Sequence, residues 1–318
     1  MNNTNINIFA QQVITRLKNY KKKGIIRDIH KLPVKEGRKE FKKIRNFFSN
    51  QESDEVLWAK DMIFNKVRVR HYRGKNNSAK DILPVMLFFH GGGWVLGDLD
   101  THDQVCRKLV NDAKYDVLSI DYSLAPESVF PKAVEECAGI LKSLGQKKNN
   151  LKIDSSKIIV CGDSAGGNIA AVLCHYNKLY IHAKILLQIL IYPATNLFSN
   201  YKSKQKYNGL ILSNEIMTWF ESHYVPENIK DNYINDWRLS PLKAKSFNSL
   251  PDSFIALAEC DPLYDEGWLY AQKLIKSGNT VDLNIYNGQI HGFLTMGGVI
   301  PDTNKMINQI KVKTNEYL

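Results

Sequence analysis

The stretch KIIVCGDSAGG, residues 157–167, joins an apolar run to a turn of small residues. A continuous apolar run is typical of a β-strand that is buried on both faces. Glycines two residues before and two residues after Ser164 permit a sharp turn into a helix, and such an elbow exposes the serine hydroxyl to a substrate. A glycine-rich turn that merely joins a strand to a helix has the same pattern, so the other motifs decide the interpretation.

A second glycine-rich stretch, HGGGW at residues 90–94, follows the apolar run 83–89. Successive glycines let the backbone approach a substrate closely, and preorganised N–H groups stabilise the negative charge of a tetrahedral intermediate. We predict three such oxyanion donors: Gly91, Gly92 and Ala165. We assign His90 and Gly93 to the support of this loop, because a histidine beside three glycines is more typical of a hydrogen-bonding role than of proton transfer.

A nucleophilic serine needs a base, and three histidines follow Ser164 outside its own predicted helix. His182 precedes a strand-like run and His223 lies in a predicted helix. His291 follows the strand-like run 281–286 on a loop, from which it can reach the serine elbow. We therefore predict that His291 is the base.

The base in turn needs an acid that fixes its tautomer. Asp261 follows the apolar run 254–258, and Pro262 ends that strand because it cannot donate a further ladder hydrogen bond. Asp265 is a rival, but it is better placed to cap the next helix. The sequence thus predicts Ser164, His291 and Asp261 as a catalytic triad.

Apolar strand-like runs alternate with helical stretches from about residue 56 onward. This alternation predicts an α/β fold with a largely parallel sheet covered on both faces. Residues 66–70 alternate between polar and apolar, which predicts an edge strand with one face in water. Residues 1–55 are predicted to be helical, and residues 195–250 form an insertion at the carboxyl end of a strand, where a lid would lie.

The net charge of +11 is concentrated at the amino-terminal end. Residues 1–50 hold 13 Lys and Arg against 3 Asp and Glu. No nucleic-acid-binding motif accompanies this excess, so we expect no nucleic-acid partner; a solvated helical face is the simpler interpretation, and weak contact with an anionic membrane surface stays open. A homodimer also stays open.

Five unpaired-looking cysteines and the absence of a basic-then-apolar leader favour a reducing, cytoplasmic location. The cysteine spacing is neither a disulfide framework nor a zinc pattern, so we expect no metal and no cofactor. No run approaches the roughly 18 apolar residues that a membrane-spanning helix needs.

Taken together, these motifs resemble the hormone-sensitive-lipase-like family of α/β-hydrolases, of the bacterial carboxylesterase and acetyl-hydrolase type. The resemblance covers roughly residues 56–317 and includes, in the family's order, HGGGW, DYSLAPE, GDSAGG, DPL and HGF. One departure is Ser123, where the family usually carries arginine. We expect this difference to affect a local structural contact and not the triad.

The resemblance implies an α/β-hydrolase fold with an eight-stranded, mostly parallel sheet flanked by helices. It implies a catalytic domain formed by residues 56–194 and 251–318, with a helical cap formed by residues 1–55 and 195–250. The apolar cap and loop residues are candidates for the substrate pocket, although a packing role is equally compatible with each: Trp94, Phe41, Phe47, Met217, Trp219 and Phe220.

The activity that the resemblance implies is hydrolysis of short- to medium-chain acyl esters, small molecules, through an acyl-enzyme and without a cofactor. An amidase or formamidase, or an acyltransferase, could use the same triad. A receptor of the same fold that binds a small molecule without turning it over is a third alternative, which the complete Ser164, Asp261 and His291 set disfavours.

Overall fold

Eight strands form one sheet in the order β1-β2-β4-β3-β5-β6-β7-β8 in the computed structural model, which describes residues 5–50, 52–146 and 151–318. The β1–β2 and β2–β4 pairs are antiparallel and the other neighbours are parallel. The strands are β1 (Val56–Phe64), β2 (Val67–Gly74), β3 (Leu83–Phe89), β4 (Asp116–Asp121), β5 (Ile153–Asp163), β6 (Ile185–Ile191), β7 (Asp252–Cys260) and β8 (Val281–Ile290). The predicted eight-stranded, mostly parallel fold is confirmed.

The prediction of an edge strand at residues 66–70 is wrong. β2 lies between β1 and β4, so β1 is the edge of the sheet. The second face of β2 is covered from Arg70 onward, since Tyr72 is fully buried and its hydroxyl donates to Asp103 Oδ1 at 2.8 Å. The alternation at the start of β2 therefore reports partial exposure of one strand end and not an edge position.

The helices cover both faces of the sheet. Helices α4, α5 and α9 contribute apolar side chains to the core on one face, and α1, α3 and α10 contribute to the core on the other. The helices are α1 (Ile8–Lys22), α2 (Val34–Phe48), α3 (Asp103–Val110), α4 (Lys132–Gly145), α5 (Ala165–Tyr176), α6 (Lys202–Lys206), α7 (Asn214–Tyr224), α8 (Glu227–Tyr233), α9 (Tyr264–Lys276) and α10 (Asp302–Asn315).

The amino-terminal segment does more than cover the sheet. Ala10, Val13 and Ile14 of α1 are buried in the same core as α3 and α10. The Asn7 N–H also donates to Gly288 O at the end of β8, at 2.9 Å. Part of this segment is consequently built into the body of the sheet domain.

The insertion after β6 carries α6, α7 and α8, and α7 contacts the short 3₁₀ turn Ile29–Lys31 that precedes α2. The two chain segments that the sequence assigns to a cap therefore meet. All five cysteines are buried and unpaired. Within the described ranges, no helix has both the length and the apolar character needed to cross a bilayer.

Candidate active site

The turn between β5 and α5 holds Ser164 in a constrained backbone conformation, with φ 56° and ψ −116°. A non-glycine residue with positive φ typically costs of order 1–3 kcal/mol, which the surroundings must offset. A Cβ at Gly166 would overlap Phe89 O of β3, and one at Gly162 would overlap Gly166 O. The glycines of the elbow are thus required by close packing of backbone against backbone.

His291 and Asp261 come from the carboxyl ends of β8 and β7, and the sheet brings both to Ser164. His291 Nε2 lies 3.0 Å from Ser164 Oγ, and His291 Nδ1 lies 2.7 Å from Asp261 Oδ2. Asp261 is fully buried and His291 is 8% exposed. The ring of Tyr192 packs on His291 at 4.9 Å between centroids and limits its rotation.

The prediction that Gly91 donates to the oxyanion is wrong. Its N–H donates to Asp163 Oδ1 at 2.7 Å, so it points away from the substrate side. Gly92 and Gly93 instead line the cavity in front of Ser164, as does Ala165 at the start of α5. No described residue accepts a hydrogen bond from the Gly92 or Gly93 N–H. The geometry therefore favours Gly92, Gly93 and Ala165 as the donor set.

Gly93 lies in the left-handed region, with φ +61°, and a Cβ there would overlap the ring of Phe220 in α7. Glycine at this position thus lets the loop and α7 approach each other closely. The sequence predicts Gly93 only as loop support, because it does not show which glycine N–H groups already donate to another residue.

His90 is fully buried beneath this loop. Its Nδ1 lies 2.9 Å from Gly91 O, and its ring stacks on Tyr122 at 4.4 Å. Burial lowers the pKa of His90 to about 4, and the nearby His102 adds to this shift. A neutral imidazole, distant from the triad contacts, suits a structural role for His90.

Asp163, the second residue of the elbow motif, ties the two glycine-rich stretches together. Burial alone would raise the pKa of this carboxyl, but His102, Arg45 and the Gly91 N–H together lower it below the ordinary value. His102 Nε2 lies 3.1 Å from Asp163 Oδ1. A buried carboxylate paired in this way fixes the position of the loop that carries Gly92.

Asn168 and Glu266 fix the base of the insertion. The Asn168 side-chain amide donates to Ala194 O at 2.8 Å and to Leu239 O at 2.9 Å, which joins its beginning to its end. Glu266 accepts from the Thr195 N–H at 2.8 Å. Sequence reasoning missed both residues, and their only local signal is their proximity to the GDSAGG and DPL motifs.

A cavity of about 370 Å³ opens at Ser164. Phe41 of α2, Met217 and Phe220 of α7, and Trp94 line it, as the sequence predicted. The rest of its wall combines aliphatic side chains with charged or polar ones, which include Lys18, Lys21, Arg27, Asp28, His30, Arg45, Lys204, Glu221 and Glu266.

Two predicted pocket residues do not line this cavity. Phe47 packs on Tyr20 at 4.9 Å and is 36% exposed, because it lies on a different face of α2 from Phe41. Trp219 lies beside the position where a Gly37 Cβ would be, between α7 and α2. The apolar character of both was read correctly, but the helical face was not.

Within the ranges that the structure describes, no group of three or more His, Cys, Asp or Glu side chains could hold a metal ion.

Comparisons with known proteins identify the family of this chain. Residues 86–295 match a family model described as alpha/beta hydrolase fold. The carboxylic ester hydrolase LipN of Mycobacterium tuberculosis is 38% identical over 77% of this chain and 67% of its own length. The ethyl acetate hydrolase of Pseudomonas putida is 30% identical over 93% of this chain and 94% of its own.

Solved structures give the same result. The crystal structure of an alpha/beta hydrolase enzyme from the metagenome of Lake Arreo, Spain, superposes with a TM-score of 0.91 at 32% identity, over 98% of both chains. A hyperthermophilic esterase from Pyrobaculum calidifontis gives 0.88 at 33% identity, also over 98% of both. The chain belongs to the hormone-sensitive-lipase-like family of α/β-hydrolases. The predicted enzyme class, carboxylic ester hydrolase, is confirmed by these relatives.

Proposed function

We propose that this protein is a serine carboxylesterase that hydrolyses short- to medium-chain acyl esters through an acyl-enzyme. The observation that carries this proposal is the hydrogen-bonded chain from Ser164 through His291 to Asp261, which opens onto an apolar cavity. The ethyl acetate and carboxylic ester hydrolases among its relatives support the substrate class.

In the first step Ser164 Oγ attacks the ester carbonyl while His291 Nε2 accepts its proton. The buried Asp261 carboxylate accepts from His291 Nδ1–H, which fixes the tautomer and stabilises the imidazolium. The carbonyl oxygen becomes an oxyanion, to which the N–H groups of Gly92, Gly93 and Ala165 donate. His291 then protonates the leaving alcohol, and the acyl group stays on Ser164.

In the second step water attacks the acyl-enzyme, with His291 as the base again. The same donors stabilise the second tetrahedral intermediate, and its collapse releases the carboxylic acid and restores the Ser164 hydroxyl. If an alcohol replaces water in this second step, the reaction is acyl transfer; if the group that leaves in the first step is an amine, the reaction is amide hydrolysis. These remain the alternative activities.

The test is Ser164→Ala compared with Ser156→Ala, an exposed serine in β5 at the opposite end of the strand that leads to the elbow. Hydrolysis of p-nitrophenyl butyrate should fall by orders of magnitude in the first variant and stay at the wild-type rate in the second. Wild-type turnover by Ser164→Ala would overturn the proposal. Failure of the wild-type protein to react with a fluorophosphonate probe would favour the non-catalytic receptor.

Substrate preference is tested with p-nitrophenyl esters of increasing acyl length, together with matched anilides and acceptor alcohols. Each buried CH₂ contributes about 0.8 kcal/mol only while the cavity has room for it. A cavity of about 370 Å³ supports a maximum at short to medium acyl length. Faster anilide than ester hydrolysis would favour the amidase alternative.

We also propose weak docking of the basic amino-terminal surface on anionic membranes. Lys18 and Lys21 stand at the wall of the catalytic cavity, and Ile25 nearby is 37% exposed. Cationic and apolar groups together suit an anionic lipid surface. Sedimentation with phosphatidylserine vesicles at low salt should exceed that with phosphatidylcholine; equal recovery contradicts this proposal.

A further inference from the structure

Helix α2 lies across the catalytic apparatus and contacts both of its loops. Arg38 and Arg45 are seven residues apart, so they project from the same face of the helix. Phe41 lies between them and lines the catalytic cavity. One arginine contacts the loop with the oxyanion donors, and the other contacts the loop with His291.

Arg38 binds the backbone directly behind the oxyanion loop. Its Nε donates to Val95 O at 2.9 Å, and its Nη2 donates to Ala125 O at 2.9 Å. The same guanidinium forms a bidentate ion pair with Glu127, in which Nη1 donates to Oε1 at 2.9 Å and Nη2 donates to Oε2 at 2.6 Å. Val95 N–H donates to Gly92 O, so the hydrogen bond from Arg38 to Val95 also stabilises the turn that contains Gly92 and Gly93.

Ser123 stands where the family usually carries arginine, and the cation that pairs with Glu127 comes from α2. Ser123 itself donates to the Glu136 carboxylate from both its backbone N–H and its Oγ. Arg38 therefore adds a link from the amino-terminal helix to this stretch.

Arg45 binds the loop that carries the predicted base. Its Nη1 donates to Gly292 O at 3.1 Å and to Thr295 Oγ1. Its guanidinium lies over the Phe41 ring, with Cζ 4.7 Å from the centroid. Gly292 is the next residue after His291, so this bond fixes the Gly292–Phe293 peptide, one residue beyond the imidazole.

The carboxyl end of α2 clamps the same loop a second time. Gly298 N–H donates to Phe48 O at 2.9 Å, and a Cβ at Gly298 would overlap Ser49 O. Two contacts from one helix end thus span residues 292–298. The conformation of this loop is therefore fixed by contacts with α2 as well as by its attachment to β8.

We infer that α2 sets the catalytic geometry, with Arg38 and Arg45 as positioning residues for the oxyanion loop and the His291 loop. This inference rests on the proposed function, but it concerns residues that touch no reacting atom. Only a small displacement is needed for an effect, since a misplacement of about 1 Å can cost about 10²-fold in rate.

The experiment compares Arg38→Met and Arg45→Met with Lys39→Met, an exposed cation on the same helix. We measure kcat and KM for p-nitrophenyl butyrate, and the rate of inactivation by diethyl p-nitrophenyl phosphate. Each arginine variant should lose roughly 10- to 100-fold in kcat and in inactivation rate, while KM changes less than about threefold. Lys39→Met should behave as the wild type.

Conservative variants separate positioning from a general loss of folding. Arg45→Lys keeps the charge and can reach one carbonyl, and Arg38→Lys loses the planar fork that pairs with Glu127. Partial recovery of kcat by Arg45→Lys, with less by Arg38→Lys, supports positioning. Thermal unfolding of every variant is followed by circular dichroism, and the kinetic comparison is made well below the lowest midpoint.

The outcomes are distinct from those of the triad test, because Ser164→Ala decides the proposed function in an otherwise intact α2. Wild-type kcat in both arginine variants would overturn the inference. A rise in KM with unchanged kcat would also overturn it, since that result assigns the arginines to substrate binding. If either methionine variant does not fold, the lysine variant of the same residue decides by the same criteria.

Discussion

The two halves of the active site are built in different ways. The half on the sheet places Ser164, Asp261 and His291 at the carboxyl ends of β5, β7 and β8, where backbone packing leaves little freedom. The half that covers it comes from α2 and from the insertion with α7. It is joined to the sheet half by side-chain contacts of Arg38, Arg45 and Asn168, and by backbone contacts such as Gly298 N–H to Phe48 O. The proposed chemistry thus belongs to the sheet half, and the proposed substrate selection belongs to the covering half.

The largest effect is expected for Asp261→Asn on the sheet half. An amide cannot hold His291 in the required tautomer, so kcat should fall by about 10⁴-fold with the fold intact. Asp265→Asn, four residues along the chain, is the matched control and should retain nearly all activity. Equal losses in both variants would mean that Asp261 is not the orienting acid.

A smaller loss is expected where the two halves touch, at Gly93. In Gly93→Ala the new Cβ overlaps Phe220 and displaces an oxyanion donor, which should cost about 10²- to 10³-fold in kcat. Gly278→Ala is the control, because Gly278 also has positive φ (+81°) but has open space around its Cβ. The double variant Gly93→Ala/Phe220→Ala should recover part of the activity; no recovery would rule out Phe220 as the obstacle.

Acid should weaken the sheet half through two buried histidines. Burial lowers the pKa of His90 to about 4, and it lowers the pKa of His175 to about 4 as well. The unfolded chain binds protons near pH 6.5 and the folded protein does not, so stability is fully present above pH 6.5 and is lost as pH falls toward 4. From pH 7 to pH 5 each histidine should remove about 2 kcal/mol from the free energy of unfolding.

Urea unfolding at several pH values measures this dependence. The slope of the free energy of unfolding against pH should be smaller in His175→Gln. It should be unchanged in His182→Asn, which alters an exposed histidine. A slope that is unchanged in His175→Gln would mean that this ring is protonated in the folded protein.

The smallest effect is expected on the covering half. Phe220→Ala enlarges the cavity, so the optimum acyl length should increase. For each CH₂ that the enlarged cavity newly accommodates, kcat/KM should rise by about fourfold. Trp219→Ala changes the neighbouring residue, which lies outside the cavity, and should leave the ratio between chain lengths unchanged. If the preferred acyl length shifts in both variants, residues of the covering half other than Phe220 control the acyl length.

Sequence patterns predicted the sheet half better than the covering half. The run 83–89 matches β3 in full, and the run 254–258 lies within β7, because a strand buried on both faces leaves a continuous apolar pattern. The structure also brings Ser164, Asp261 and His291 within hydrogen-bond distance, since each follows a recognisable strand. Their catalytic roles stay predictions until the variants are measured.

The errors have physical causes of another kind. Gly91 was taken as an oxyanion donor because sequence does not show that Asp163 already accepts from its N–H. Phe47 and Trp219 were placed in the pocket because composition does not fix which helical face points inward. Arg45 gave no local signal at all, since its partners follow almost 250 positions later in the chain.

The meeting of residues 29–31 with α7 has a consequence for how new specificities can arise. The wall opposite Ser164 is encoded in two stretches of the gene that lie on either side of the nucleophile, with Phe41 in one and Met217 in the other. A recombination that exchanges only one of these stretches between relatives would combine two parts of the cavity wall that did not evolve together. Chimaeras that transfer both stretches should inherit the donor's substrate range, and natural divergence of substrate range should leave paired changes in the two.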